Sequence, residues 1–157
     1  MRYVEGYKGG YLSPYFSICL FAGLRPDARE GEMAKLREEH FNFANYFIHI
    51  EPEVSKVNEK RTVTIQPNLK AWLDKYPLNK YPIVPAHCKI HIEHIRREYS
   101  LTADVLRHTY ISMLVGKFRS IGDAALQAGN SESMIRKHYL DVKSVEESEK
   151  FWGILPL

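Results

Sequence analysis

The stretch that most constrains this chain is residues 101–139, LTADVLRHTYISMLVGKFRSIGDAALQAGNSESMIRKHY. Its apolar residues recur at helical spacing, with Leu106, Tyr110, Met113 and Leu114 on one face. Ser120 and Asp123 form a capping box with aspartate in place of glutamate, so a second helix starts there. That helix turns Ile121, Ala125 and Ala128 inward. It stops at Gly129, the residue best suited to the left-handed position that follows a helix. Ser131 then caps a third helix carrying Met134 and Ile135 inward. The stretch places Arg107 one turn into the first helix, Asn130 just past the glycine pivot and Tyr139 near the end of the third helix.

The rest of the chain supplies further helices and a small sheet. Residues 11–21 read as a buried helix, with Pro14 tolerated in the first turn. Gly23-Leu24-Arg25-Pro26 ends it, and a helix over 28–36 buries Met33 and Leu36. Residues 40–43, 46–50 and 61–66 read as strands. Tyr46, Ile48 and Ile50 share one face, and Val63 and Ile65 share another. The connection 51–60 is longer than a tight hairpin and carries Lys56, with Lys60 and Arg61 behind it. Residues 68–75 form a short helix with Trp72 inward, and the proline-rich 76–85 is irregular. Residues 1–10 read as a lead-in. The expected fold class is α+β, mainly α, with a three-stranded antiparallel β-sheet.

A length of 157 residues suits one domain with a real core. The net charge of +3 permits nucleic-acid binding without arguing for it, because the footprint depends on clustering. Cys19 and Cys88 stand in unrelated contexts, so free thiols in a reducing, cytoplasmic compartment are expected. The apolar run near 11–24 is too short to span a bilayer and contains Pro14, so no membrane partner is expected. His87, His91 and His94 would share a helical face at ligand-like spacing. No carboxylate lies on that face within reach, and the strong two-Cys/two-His spacing is absent. The expectation is a helix packed through Ile90, Ile92 and Ile95 with histidines at its edge, and no metal. The tail 143–157 opens as an acidic helix and ends with Phe151, Trp152, Ile154, Leu155 and Leu157. Burying each such group is worth about 1.5–3 kcal/mol, so the tail must dock, and docking on its own domain is favoured.

Leu106-Arg107-His108-Thr109, Ala128-Gly129-Asn130-Ser131 and Tyr139 together resemble the C-terminal catalytic domain of the tyrosine recombinases, or phage integrases. Far upstream, Gly23-Leu24-Arg25-Pro26 with Glu32 and Leu36 is similar to the first arginine motif of that family. The segment SKVNEKRTV resembles its lysine-bearing β-hairpin. The resemblance covers the catalytic half of such proteins, so the chain is expected to be a single catalytic domain over 1–157 without an N-terminal core-binding domain. It implies double-stranded DNA as partner, no cofactor, no small-molecule substrate, and a tail that in the family often docks on a neighbouring protomer.

The implied site residues are Tyr139 as nucleophile, Arg25 and Arg107 as phosphate forks, and Lys56 as the acid for the leaving oxygen, with Lys60 the other candidate. Asp104 and Asn130 occupy the two remaining catalytic positions. Lys60, Arg61, His108 and Arg136 are expected to contact DNA. A phenol of pKa near 10 is about one part in a thousand ionised at pH 7, so nearby cations must favour the phenolate. Asp104 stands where the family usually places histidine, and Asn130 where it usually places histidine or tryptophan. A carboxylate about 5 Å from a phosphate costs on the order of 3 kcal/mol at an effective dielectric of about 20, roughly one arginine's contribution. Asp104 has an alternative role as a helix N-cap. These departures imply either a weakened recombinase or a degenerate domain that binds DNA without cutting it. A helix-turn-helix regulator built on Ala125, Gly129 and Ile135 is a further alternative.

Overall fold

The computed structural model describes every residue except 56–57 and 139–142, so the expectations for Lys56 and Tyr139 lie outside the described residues. The elements are α1 (Arg2–Gly6), α2 (Ser13–Phe21), α3 (Glu32–Lys35), β1 (Phe41–Asn42), β2 (Phe47–Ile50), β3 (Arg61–Thr64) and α4 (Pro67–Lys75). They continue with α5 (Lys89–Glu98), α6 (Val105–Phe118), α7 (Ile121–Ala128), α8 (Glu132–His138) and α9 (Val145–Trp152). The strands form one antiparallel sheet in the order β1-β2-β3, with Ile48 opposite Val63 and Ile50 opposite Arg61. The expected class, mainly helical with a small three-stranded antiparallel sheet, is therefore met.

Helix α2 forms the centre. It is buried on all sides, packs on α4 and α6, and carries Pro14 in its first turn, where a missing amide hydrogen costs nothing. Helix α6 inserts Tyr110, Ile111 and Leu114 into the same core. Helix α7 begins with the Ser120 side chain accepting the Asp123 amide, the N-cap half of the expected capping box, and ends on Gly129 at φ 64°. On its other side α7 packs against β3, which connects the sheet to the helical layer.

Five local expectations are corrected. Residues 28–31 are not helical, because the Asp27 carboxylate accepts the amides of Arg29 at 2.9 Å and Glu30 at 3.3 Å. Such a local bond competes with a helix start, so α3 forms only at Glu32. Tyr46 does not share the buried face of Ile48 and Ile50. It is exposed in the β1–β2 turn with φ 59°. Ile90 and Met134 are exposed, whereas Ile92, Ile95 and Ile135 are buried. Ile90 lies about 200° around α5 from Ile92, which one-sided packing cannot accommodate. Residues 1–10 are more than a lead-in. Glu5 of α1 is buried and accepts from Lys75, Tyr76 and the Leu157 amide.

The tail docks on its own domain. Ser144 and Glu147 cap α9 reciprocally, and α9 lies along α6. Phe151 and Trp152 are buried, with the Trp152 indole donating to the Met113 carbonyl at 3.2 Å. Leu155 and Leu157 stay exposed. Among the described residues no helix is long and apolar enough to cross a membrane.

Candidate active site

Three segments remote in sequence meet at one place: the turn after α2, strand β3, and the turn between α7 and α8. Arg107 joins the first to the third. It rises from the first turn of α6, is 4% exposed, and donates from Nη1 to the Gly23 carbonyl at 2.7 Å. Its Nη2 donates to the Ala128 carbonyl and to Asn130 Oδ1, the latter at 2.8 Å. The Asn130 amide oxygen faces a group that can only donate, so its nitrogen is left as the donor end.

The turn carrying Arg25 is fixed from several directions. Gly23 sits at φ 65° with the Tyr110 ring so close that an added Cβ would lie 2.2 Å from Cδ1. The Tyr15 hydroxyl donates to the Pro26 carbonyl at 2.5 Å. Glu32, fully buried, accepts the Arg25 amide on Oε2 at 3.2 Å and Arg25 Nη1 on Oε1 at 3.0 Å. The Arg25 side chain is still 21% exposed, so it is both held and accessible.

Arg61 departs from its expected role. It is not presented to DNA: its side chain is 6% exposed, its Nη2 donates to Glu32 Oε2 at 2.9 Å, and its Nε donates to the Gln127 carbonyl at 3.1 Å. The physical reason lies at the end of α7. The last carbonyls of a helix have no intrahelical partner and carry the negative end of its dipole. Gln127 and Ala128 belong to that last turn, and Arg61 and Arg107 bond them. Each such charged hydrogen bond contributes about 1.5–3 kcal/mol. Arg61 Nη1 is buried with no hydrogen-bond acceptor among the described residues.

Burial by itself would raise the Glu32 carboxyl. The hydrogen bond and charge of Arg61, then those of Arg25, outweigh burial and hold it below the ordinary glutamate range. Glu32 is therefore an anion that organises two cations. Gln127 is a second organiser: its side-chain oxygen accepts the Thr64 amide at 3.0 Å and the Tyr110 hydroxyl at 3.2 Å. Glu32 had one signal, its place with Gly23, Leu24, Arg25, Pro26 and Leu36 in the segment similar to the first arginine motif, and Gln127 had none.

The other expected residues scatter more widely. Asp104 is exposed at the N-cap position of α6, and its side chain makes no capping bond; its backbone carbonyl accepts the His108 amide at 2.8 Å. His108 is exposed one residue after Arg107. Lys60 is exposed and pairs with Glu51 at 3.3 Å, and Arg136 on α8 pairs with Glu132 at 3.6 Å. A groove of about 1450 Å³ runs beside Arg25, between the loop 26–31 and residues 84–104. Arg29, Arg96 and Arg97 line it, as do Glu30, Glu93 and Asp104. Ser55 lines it too, one residue before Lys56. The histidine face is occupied otherwise: His91 bonds Tyr7 and Lys8, and His94 bonds Tyr3. Among the described residues no group of three potential ligands could hold a metal ion.

No family model and no curated protein matches the sequence. Among solved structures, the fold is similar to that of the Tn1549 transposon integrase, solved in complex with a circular intermediate DNA. The TM-score is 0.62 at 15% identity, and the match covers 95% of this chain and 61% of the other. The chain thus spans about three-fifths of the length of that integrase. It has the fold that the motif resemblance implies.

Proposed function

We propose that this chain is a DNA strand-transfer domain of the tyrosine-recombinase type, cutting and rejoining duplex DNA through a 3′-phosphotyrosyl intermediate. One observation carries the reading most: Arg107 bonds both the turn that bears Arg25 and the turn that bears Asn130, although 84 and 23 residues separate the bonded partners. The integrase fold supports the same reading.

In the proposed reaction the Tyr139 oxygen attacks phosphorus, and its proton passes to solvent water. The bond from phosphorus to the 5′-oxygen breaks, and Lys56 donates a proton to the leaving oxygen. Arg25, with donors beyond the one bound to Glu32, stabilises charge growing on a non-bridging oxygen, and the Asn130 amide nitrogen supplies a neutral donor. Attack by a second 5′-hydroxyl reverses the sequence. The phosphate ester is conserved throughout, so neither ATP nor a metal ion is needed.

Arg107 and Arg61 spend donors on protein carbonyls, and Asp104 stands exposed on the groove. These observations favour a second reading, a domain that binds DNA without cutting it. A nicked suicide duplex separates the two. On the first reading, incubation and a denaturing gel give a covalent protein–DNA band that Tyr139→Phe abolishes. Binding without any band at high protein concentration supports the second.

A further inference from the structure

The sequence suggests Arg61 as a DNA contact, and the structure gives it no surface to make one. We propose that Arg61 is a positioning residue that couples the strand after the Lys56 hairpin to both halves of the proposed phosphate site. This rests on the recombinase reading for its catalytic consequence, but its structural part stands alone.

Arg61 begins β3, directly after the connection that contains Lys56. Its guanidinium reaches two groups. One is Glu32, whose other oxygen holds Arg25 Nη1 and whose Oε2 also holds the Arg25 amide. The other is the Gln127 carbonyl, three residues before Asn130. The contact with that turn is close: an added Cβ on Gly129 would lie 3.1 Å from Arg61 Cδ. A planar fork can hold two acceptors at a fixed angle. A lysine at the same place keeps the charge near Glu32 but has only one nitrogen, so it cannot span both. The strand, Arg25 and the Asn130 turn then lose their common reference. Since positioning errors of an ångström cost about 100-fold in rate, Arg61→Lys should matter without touching DNA.

The experiment compares wild type, Arg61→Lys and Glu32→Gln in the full chain. Arginine side-chain Nε–H signals of Arg25 and Arg96 are followed by NMR, with signal dispersion reporting folding. In both variants the Arg25 signal should move toward that of free arginine and its hydrogen exchange should speed up at least tenfold, while Arg96, which lines the groove, stays unchanged. An Arg25 signal unaltered in folded Arg61→Lys overturns the proposal. Duplex affinity of folded Arg61→Gln, which removes the charge, is measured against salt in parallel. Its log–log slope should be unchanged, whereas a slope reduced by about one unit marks a phosphate contact and also overturns the proposal. The adduct rate on the suicide duplex should fall about 10–100-fold with affinity held within twofold. Wild type failing to form any adduct sinks the phosphotyrosyl reading alone, because the NMR comparison still decides what Arg61 does.

Discussion

At the scale of single residues, the chain spends its cations in two ways. Arg25 remains accessible, while Arg61 and Arg107 are buried to hold carbonyls and a carboxylate. Glu32 is the hinge of this division, and its titration gives a prediction. Its folded pKa lies below the ordinary value, so its stabilisation is complete above about pH 4.3 and is lost as pH falls through the folded value. Glu32→Gln should cost about 3 kcal/mol at pH 7, because the buried Arg61 and the partly exposed Arg25 lose their counter-charge. Urea midpoints between pH 5 and pH 3 should fall less steeply for Glu32→Gln than for wild type. Glu5 is also held low but stays in both proteins, so it cancels in the comparison. Equal slopes would contradict the assignment. The types and order of Arg25, Arg107 and Asn130 could be read from the motifs. Which arginine is spent on the protein could not, since that depends on where the last carbonyls of α7 point.

At the scale of elements, the best-read parts are those with local signals. The Ser120 cap, the Gly129 stop and Pro14 at the start of α2 each satisfy or avoid a backbone group within a few residues, so sequence suffices. The poorly read parts depend on partners far away. The 28–36 helix yields to Asp27, and Ile90 and Met134 point outward because their short helices pack on one side only. The contact of α6 with α9 is a further case. An added Cβ on Gly116 would lie 2.2 Å from Ser148 Oγ, a buried atom. Alanine for glycine inside a helix normally stabilises by about 1 kcal/mol. Here the crowding should reverse the sign, and Gly116→Ala should destabilise by about 1–3 kcal/mol in urea unfolding. Adding Ser148→Gly should restore most of the loss. A stabilised Gly116→Ala would show that α9 does not lie this close to α6.

At the scale of the whole molecule, both ends of the chain lock the helical layer that supports the site. Glu5 gathers Lys75, Tyr76 and the Leu157 amide, and Trp72 donates to the Ile154 carbonyl at 3.0 Å. The resulting frame presents Arg25 on a groove with mixed charge. In the proposed reaction, Arg25 acts on the charge of the phosphate being cut. A suicide duplex carrying a methylphosphonate at the cleaved linkage, which lacks one charged oxygen, tests this most directly. On ordinary DNA, Arg25→Ala should lose about 100-fold or more in adduct rate. On the methylphosphonate, the same substitution should cost under about fivefold, since the charge that Arg25 neutralises is gone. An equal loss on both substrates would place Arg25 away from the reacting phosphate and contradict the account.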